Sequence, residues 1–236
     1  MKKHLRILLV GVSALVALGT LSACSGGTST EATSSPQPAP ATTTATESAF
    51  PQSARYVADM TSADGKTMTI GISVDGTEVA AYACNGTDDE AWFFGNQTDG
   101  QIDIKSRFRD TLTAQFNGTD VAGDLTMNGV GYKFTAAPVS GVAGMYTADA
   151  DGVRASWVVR EDESAIGVQF SPVTGQKLEE SDLQQLDAEQ FRSQVRNTRN
   201  LQQANQIEFL QNKTIRSSIN GKNVTPTLVT GKFRLG

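Results

Sequence analysis

The chain has 236 residues, with 20 basic and 25 acidic side chains and a net charge of −5, but it has only one histidine, His4. His4 lies at the N-terminus, ahead of an apolar run. The rest of the chain therefore excludes Ser-His-Asp catalysis, Cys-His catalysis and any histidine-ligated metal site.

The N-terminal segment combines Lys2, Lys3 and Arg6 with an apolar run over residues 7–18, followed by Leu21-Ser22-Ala23-Cys24. A basic start, a short apolar run and small residues are typical of a secretory signal peptide, and the run is too short for a stable membrane span. The sequence before Cys24 resembles the lipobox of bacterial lipoproteins of the actinobacterial type. The resemblance implies removal of residues 1–23 by signal peptidase II. It also implies a lipid anchor on Cys24, with acyl chains such as palmitate, at the extracytoplasmic face of the cell membrane.

Residues 24–54 are rich in Ser, Thr, Ala and Pro, and such a composition cannot bury enough apolar surface to fold. We expect a disordered tether, followed by one globular domain over residues 55–236. If Cys24 carries lipid, Cys84 has no partner for a disulfide. Because Cys84 lies in an apolar, strand-like run, we expect a small buried hydrophobic side chain there.

Charge is distributed unevenly along the chain that remains after residue 23. Residues 24–189 are strongly acidic, whereas residues 190–236 carry eight basic side chains and only one acidic side chain, Glu208. Two interpretations stay open: the basic tail packs on the acidic body and neutralises it, or it contacts anionic lipids or polymers of the envelope.

Residues 55–170 alternate between apolar and polar positions, and turn dipeptides separate the alternating segments. Period two with one polar face predicts antiparallel strands with one buried side. About ten such strands should close as a barrel or fold as a sandwich, so the predicted fold class is mainly β. The predicted turns are Asp64-Gly65, Asp75-Gly76, Asn85-Gly86, Asp99-Gly100, Asn117-Gly118, Asn128-Gly129 and Asp151-Gly152.

Residues 79–95 predict a hairpin with one strand ending at Cys84, a turn at residues 85–88 and a second strand starting at Glu90. The segment resembles uncharacterised secreted proteins of actinomycetes. In those proteins a Tyr-x-Cys-Asn/Asp-Gly strand end precedes a Glu-Ala-Trp-x-x-Gly strand. The matching residues are Tyr82, Cys84, Asn85, Gly86, Glu90, Ala91, Trp92 and Gly95. The resemblance implies an exported β-domain and no particular activity.

No glycine or proline occurs over residues 176–220, and apolar residues recur there at helical spacing. This pattern predicts one long helix over about residues 182–211, opened by a capping box at residues 181–184. A break of this helix near residues 197–200 stays open. Arg192, Arg196 and Arg199 would share a face of that helix, either as a solvated or barrel-facing stripe or as a contact for an anionic partner.

Acidic clusters at residues 88–90 and 161–163 fall at expected turns, so we interpret them as solvated loop charges. The sequence contains no phosphate-binding glycine loop and no Ser-x-x-Lys pair, and we expect no metal, no cofactor and no enzymatic activity. The basic tail lacks interleaved aromatic residues, so nucleic acid is not an expected partner.

Three functions remain as hypotheses. The first is a lipid-anchored, non-catalytic binding or interaction module, with an envelope protein or lipid as partner. The second is a carrier of an apolar ligand such as a lipid or glycolipid, held in a barrel cavity that Met68, Ile70, Ile72, Leu112, Phe116, Tyr132, Phe134 and Trp157 would line or fill. The third is a hydrolase that uses carboxylates alone.

Overall fold

A computed structural model describes residues 49–172, 180–210 and 214–235. The predicted signal peptide, Cys24 and the tether as far as residue 48 lie outside the described residues. Antiparallel strands make up most of the described chain. The strands are β1 Ser53–Thr61, β2 Thr67–Asp75, β3 Glu78–Cys84, β4 Glu90–Thr98, β5 Gln101–Lys105, β6 Thr111–Phe116, β7 Val121–Met127, β8 Val130–Pro138, β9 Gly144–Ala150, β10 Val153–Val159, β11 Ala165–Ser171, β12 Asn200–Gln203, β13 Glu208–Phe209, β14 Ile215–Ile219, β15 Lys222–Val224 and β16 Thr227–Leu228.

Strands β1 to β8 form a closed barrel in which each strand pairs with the next one in the sequence. The barrel closes where β8 returns to β1, with Tyr56 opposite Pro138 and Val57 opposite Ala137. The predicted antiparallel meander is therefore confirmed, and it closes as a barrel. Phe50, in the last part of the predicted tether, is buried and stacks on Phe116 with ring centroids 4.7 Å apart.

The turn dipeptides lie where the sequence predicts them, between consecutive strands. All seven of their glycines have positive φ angles, from 62° at Gly76 to 101° at Gly118. At Asn128-Gly129 both residues are in this region, with φ angles of 51° and 78°. Two consecutive positive φ angles match the turn type that suits the right-handed twist of a two-residue hairpin. The local chemistry of these dipeptides thus sets the strand boundaries.

The barrel interior is packed with apolar side chains that form one buried cluster. Seven of the eight predicted inward-facing residues belong to it: Met68, Ile70, Ile72, Leu112, Phe116, Tyr132 and Phe134. Trp157 does not, because it lies on β10 in the second sheet, where it belongs to a different cluster.

The second sheet has the strand order β12-β11-β10-β9-β16 and packs on the outside of the barrel. As a result, β2 and β3 are buried on both faces, whereas the alternation in β2 predicted a polar, exposed second face for that strand. A Cβ atom on Gly71 would lie only 2.4 Å from the Met145 side chain, and the Ser73 hydroxyl donates to the Val229 carbonyl at 3.0 Å. Small and hydroxyl side chains on β2 therefore face a neighbouring sheet and not water. The other face of the second sheet packs, through Trp157 and Ile219, on a three-stranded sheet of order β13-β14-β15.

Helical structure near the C-terminus is confirmed, but it ends at Thr198, so the predicted extent of one helix over residues 182–211 is wrong. The chain instead forms α1 Glu180–Gln185, α2 Ala188–Gln194 and a 3-10 turn at Arg196–Thr198, and then pairs as β12 with the edge strand β11. The capping box forms at Asp187 and Gln190 and starts α2, so it lies further along the chain than predicted. No helix in the described ranges has the length and apolar character needed to cross a membrane.

The barrel contributes directly to the end of α1. The Arg109 guanidinium, from the β5–β6 turn, donates to the Leu183 carbonyl at 2.6 Å and to the Leu186 carbonyl at 2.9 Å, and it lies 4.0 Å from the centre of the Phe191 ring. The last carbonyl groups of a helix have no partner within the helix, and here the Arg109 guanidinium donates to them. The helix dipole also favours a cation at the helix C-terminus. This contact holds both short helices against one end of the barrel.

Candidate functional site

Four turns lie together at one end of the barrel, which we call the mouth. Because successive strands run antiparallel, the connections β1–β2, β3–β4, β5–β6 and β7–β8 all lie at the same end. They comprise residues 62–66, 85–89, 106–110 and 128–129. The segment that follows α2 crosses this end.

Arg196 lies in the mouth between two carboxylates. Its Nε lies 2.8 Å from Asp110 Oδ1, and its Nη2 lies 2.8 Å from Asp89 Oδ1. The Arg196 side chain is 2% exposed. Asp110 also accepts the Asn128 backbone N–H at 3.0 Å and the Ser106 hydroxyl at 3.1 Å. One buried ion triad therefore ties three of the mouth turns to the segment after α2.

Burial and charge pairing act against each other within the triad, and their balance differs from residue to residue. Burial acts against the charged form of Arg196, but the nearby Asp89 and Asp110 outweigh it and raise the pKa of the guanidinium. Burial also raises the pKa of Asp89, although Arg196 and Arg199 act in the opposite direction. At Arg199 burial, followed by repulsion from Arg196, lowers the pKa. Both carboxylates of the triad are paired with the Arg196 guanidinium, as expected for an ion network that has a structural role.

The three arginines predicted to share one helix face have different surroundings. Arg199 donates to the Glu90 carbonyl at 2.8 Å, and its guanidinium lies 4.3 Å from the centre of the Phe108 ring. Arg192 is half-buried against the β7–β8 turn, where a Cβ atom on Gly129 would meet it at 2.3 Å. Arg196 and Arg199 thus share a contact to Asp89, whereas Arg192 lies against a different turn of the mouth. A contact with an anionic partner stays a prediction.

A cleft of about 680 Å³ opens beside the triad, and we call it the mouth cleft. Its wall offers the neutral polar side chains of Asn128 and Asn197, and its charged residues are Lys66, Asp88, Asp89, Arg196 and Arg199. Asn85 and Thr87 also line it, but their side chains form hydrogen bonds within the β3–β4 turn. A cleft of this volume is in the range typical of small-molecule sites. The wall is suited to binding a polar molecule.

Acidic residues of the 88–90 cluster do not all behave as solvated loop charges. Asp88 is exposed, as are all three residues of the 161–163 cluster, but Asp89 is partly buried and Glu90 is 2% exposed. Glu90 Oε1 forms an ion pair with Arg154 Nη2. The local sequence contains a signal that the prediction missed: Glu90 begins an apolar strand, so its side chain lies on the same face as the outward-facing Trp92.

Charge pairing between the tail and the body supports the first interpretation of the basic tail. Arg196 pairs with two acidic residues of the barrel, Arg234 lies 3.5 Å from Glu78, and Lys222 forms an ion pair with Asp151. Much of the tail charge is therefore neutralised within the domain.

Neither a family model, nor a curated protein, nor a solved structure matches this chain. Within the described ranges, no group of three or more Cys, His, Asp or Glu residues could hold a metal ion.

Proposed function

We propose that the protein is a lipid-anchored component of the bacterial cell envelope, and that its β-domain is a non-catalytic binding module at the extracytoplasmic face of the membrane. The lipobox-like Leu21-Ser22-Ala23-Cys24 supports the anchor. Two acyl chains on one residue suffice for stable membrane attachment, whereas a single chain does not. The residues between Cys24 and the buried Phe50 would act as a spacer between membrane and domain.

The observation that carries the binding role is the mouth cleft of about 680 Å³. Two of the turns that line it, residues 85–89 and 128–129, are held to the segment after α2 by the Asp89–Arg196–Asp110 triad and by the Asn128 contact to Asp110. Preorganised polar groups around a cleft reduce the entropic cost of binding.

Packing inside the barrel supports the binding module over the carrier. A carrier needs internal space for an apolar ligand, but the inward-facing side chains pack against one another in one buried cluster. Native mass spectrometry of protein extracted from its own cells tests the point. We expect no co-purifying lipid. A bound lipid at stoichiometric amount would favour the carrier.

The anchor is tested by cell fractionation of the wild type and of Cys24→Ala. We expect the wild type in the membrane fraction and the variant outside it, because the variant lacks the sulfur that would carry lipid. Cys84→Ala is the matched control: it removes the other cysteine, which is buried, and should remain in the membrane fraction. A Cys24→Ala protein that stays in the membrane like the control contradicts the anchor.

A further inference from the structure

A second cleft lies on the outside of the barrel, between β4 and the second sheet, and we call it the aromatic cleft. Its volume is about 300 Å³. Outward-facing side chains of β4 supply one wall through Trp92 and Phe94, whose rings stack at 5.5 Å with an interplanar angle of 14°. Phe108 and Phe170 line it from the β5–β6 turn and from β11. Flat rings therefore surround a space large enough for a small molecule.

Positive charge is concentrated at the aromatic cleft although the whole chain has a net charge of −5. Four cationic side chains, Lys105, Arg107, Arg154 and Arg199, line it with Glu90 as the only acidic residue among the lining residues. Arg154 and Arg199 are held by contacts to Glu90. Lys105 and Arg107 are exposed, and neither side chain makes a hydrogen bond or an ion pair with another described residue. Two cations are thus free to meet an anion.

Two buried polar atoms of the lining residues have no hydrogen-bond partner among the described residues. They are the indole Nε1 of Trp92, a donor, and the carboxylate Oε2 of Glu90, an acceptor. Trp92 is 6% exposed and Glu90 is 2% exposed. A buried polar group without a partner is costly, so such a group in a native protein points to a missing partner. The two residues that carry these atoms, Trp92 and Glu90, both line the aromatic cleft.

We propose that the aromatic cleft binds a small anionic molecule with a flat ring: the ring packs among the aromatic side chains, the anionic group meets Lys105 and Arg107, and polar substituents pair with Trp92 Nε1 and Glu90 Oε2. The inference rests on the proposed binding role and gives it a second site and a ligand class. It does not depend on the membrane anchor.

The test is calorimetric titration of the full-length chain in a neutral detergent, with the titration into detergent alone subtracted. The probe is 6-hydroxynaphthalene-2-sulfonate, which carries a flat ring, an anion and a hydroxyl group. Cyclohexanesulfonate has the anion without the flat ring, and 2-naphthol has the ring without the anion. We expect saturable binding of one probe per chain and affinity at least about fivefold weaker for both partial analogues, because each lacks one of the two main interactions.

Variants locate the site. Arg107→Gln removes an exposed cation without a structural partner, and Trp92→Phe keeps a ring but removes the indole donor. Each substitution should weaken binding of the probe by roughly three- to tenfold. The thermal unfolding midpoint of Arg107→Gln should equal that of the wild type. Lys133→Gln, an exposed cation elsewhere on the barrel, and Lys66→Gln, a cation of the mouth cleft, should leave affinity within about twofold.

No saturable binding of the probe at millimolar concentration would overturn the proposal. Equal affinity for the probe and both analogues would do so as well, as would weakening by Lys66→Gln in place of Arg107→Gln. Because the titration involves no membrane, an absence of probe binding would not change the result expected from the Cys24 fractionation.

Discussion

Arg196 is the buried cation on which the geometry of the barrel mouth depends. Its side chain is 2% exposed, and it lies 2.8 Å from carboxylate oxygens of Asp89 and Asp110. Removing one partner of a buried ion network leaves charge without compensation, which costs more than the pair itself contributes. Arg196 is therefore the residue whose loss should disturb the mouth most.

We predict that Arg196→Met lowers the free energy of unfolding by about 3–5 kcal/mol, because Asp110 stays buried without a cation and Asp89 keeps only its longer contact of 3.4 Å to Arg199. Urea unfolding measures the change. Arg192→Met is the matched control on the same segment, where the side chain is half-buried, and it should cost less than about 1 kcal/mol. Adding Asp89→Asn and Asp110→Asn to Arg196→Met should restore part of the loss. Equal effects of the two arginine substitutions would contradict the role of the triad.

Cys84 gives the domain a pH dependence on the alkaline side. Burial raises the pKa of its thiol from 9.0 to about 12, and the neutral thiol lies 3.9 Å from the Ile166 carbonyl, which it can face only as a donor. The unfolded chain therefore loses this proton at lower pH than the folded chain. The neutral thiol therefore makes its full contribution to the free energy of unfolding below pH 9, and this contribution declines as the pH rises towards 12.

Comparison of wild type with Cys84→Ala isolates this contribution from other groups that titrate in the same range. Between about pH 8 and about pH 11 the wild type should lose roughly 2–3 kcal/mol more unfolding free energy than the variant. Parallel pH profiles for the two proteins would show that the thiol ionises equally in both states.

At the scale of the strand, the barrel requires close approach of backbones at particular glycines. A Cβ atom on Gly123 in β7 would lie 2.2 Å from the Thr113 carbonyl oxygen and 2.7 Å from the Ala114 Cβ. Gly131, on the neighbouring strand β8, has nothing within 4 Å of its Cβ position. Neither glycine has a positive φ angle, so the comparison isolates packing space from backbone strain.

Gly123→Ala should therefore destabilise the domain by roughly 2–4 kcal/mol, because a backbone atom must move to admit the methyl group. Gly131→Ala should be neutral or stabilise by up to about 1 kcal/mol, since alanine restricts the unfolded chain. Urea unfolding of both variants is the measurement, and a Gly123→Ala protein as stable as Gly131→Ala would contradict the close approach.

Strands could be predicted from the sequence because their signals are local. Dipeptides such as Asn128-Gly129 adopt positive φ angles by themselves, and alternation marks the inward-facing residues between them. The helix prediction failed because Leu201, at helical spacing, instead lies opposite Phe170 when β12 joins the edge of the second sheet. The triad joins residues 89, 110 and 196, so no local pattern could reveal it. An edge strand and a long-range ion network depend on the tertiary fold.

At the scale of the whole molecule, a packed barrel and a second sheet form a rigid support with clefts on its surface. Because the barrel interior is filled with side chains, the candidate ligand sites are the mouth cleft and the aromatic cleft. Tail residues such as Arg196, Lys222 and Arg234 pair with acidic residues of the body, which leaves Lys105 and Arg107 as cations available to a partner at the aromatic cleft. Membrane attachment would keep these clefts within reach of envelope components.

The lipid anchor at Cys24 is the central claim, and the number of free thiols in protein purified from its own membranes tests it most directly. The chain has two cysteines, and unfolding in guanidinium chloride exposes the buried Cys84 to a thiol reagent. The lipid anchor predicts one reactive thiol per chain, because the Cys24 sulfur would be held in a thioether. Two reactive thiols per chain would contradict it.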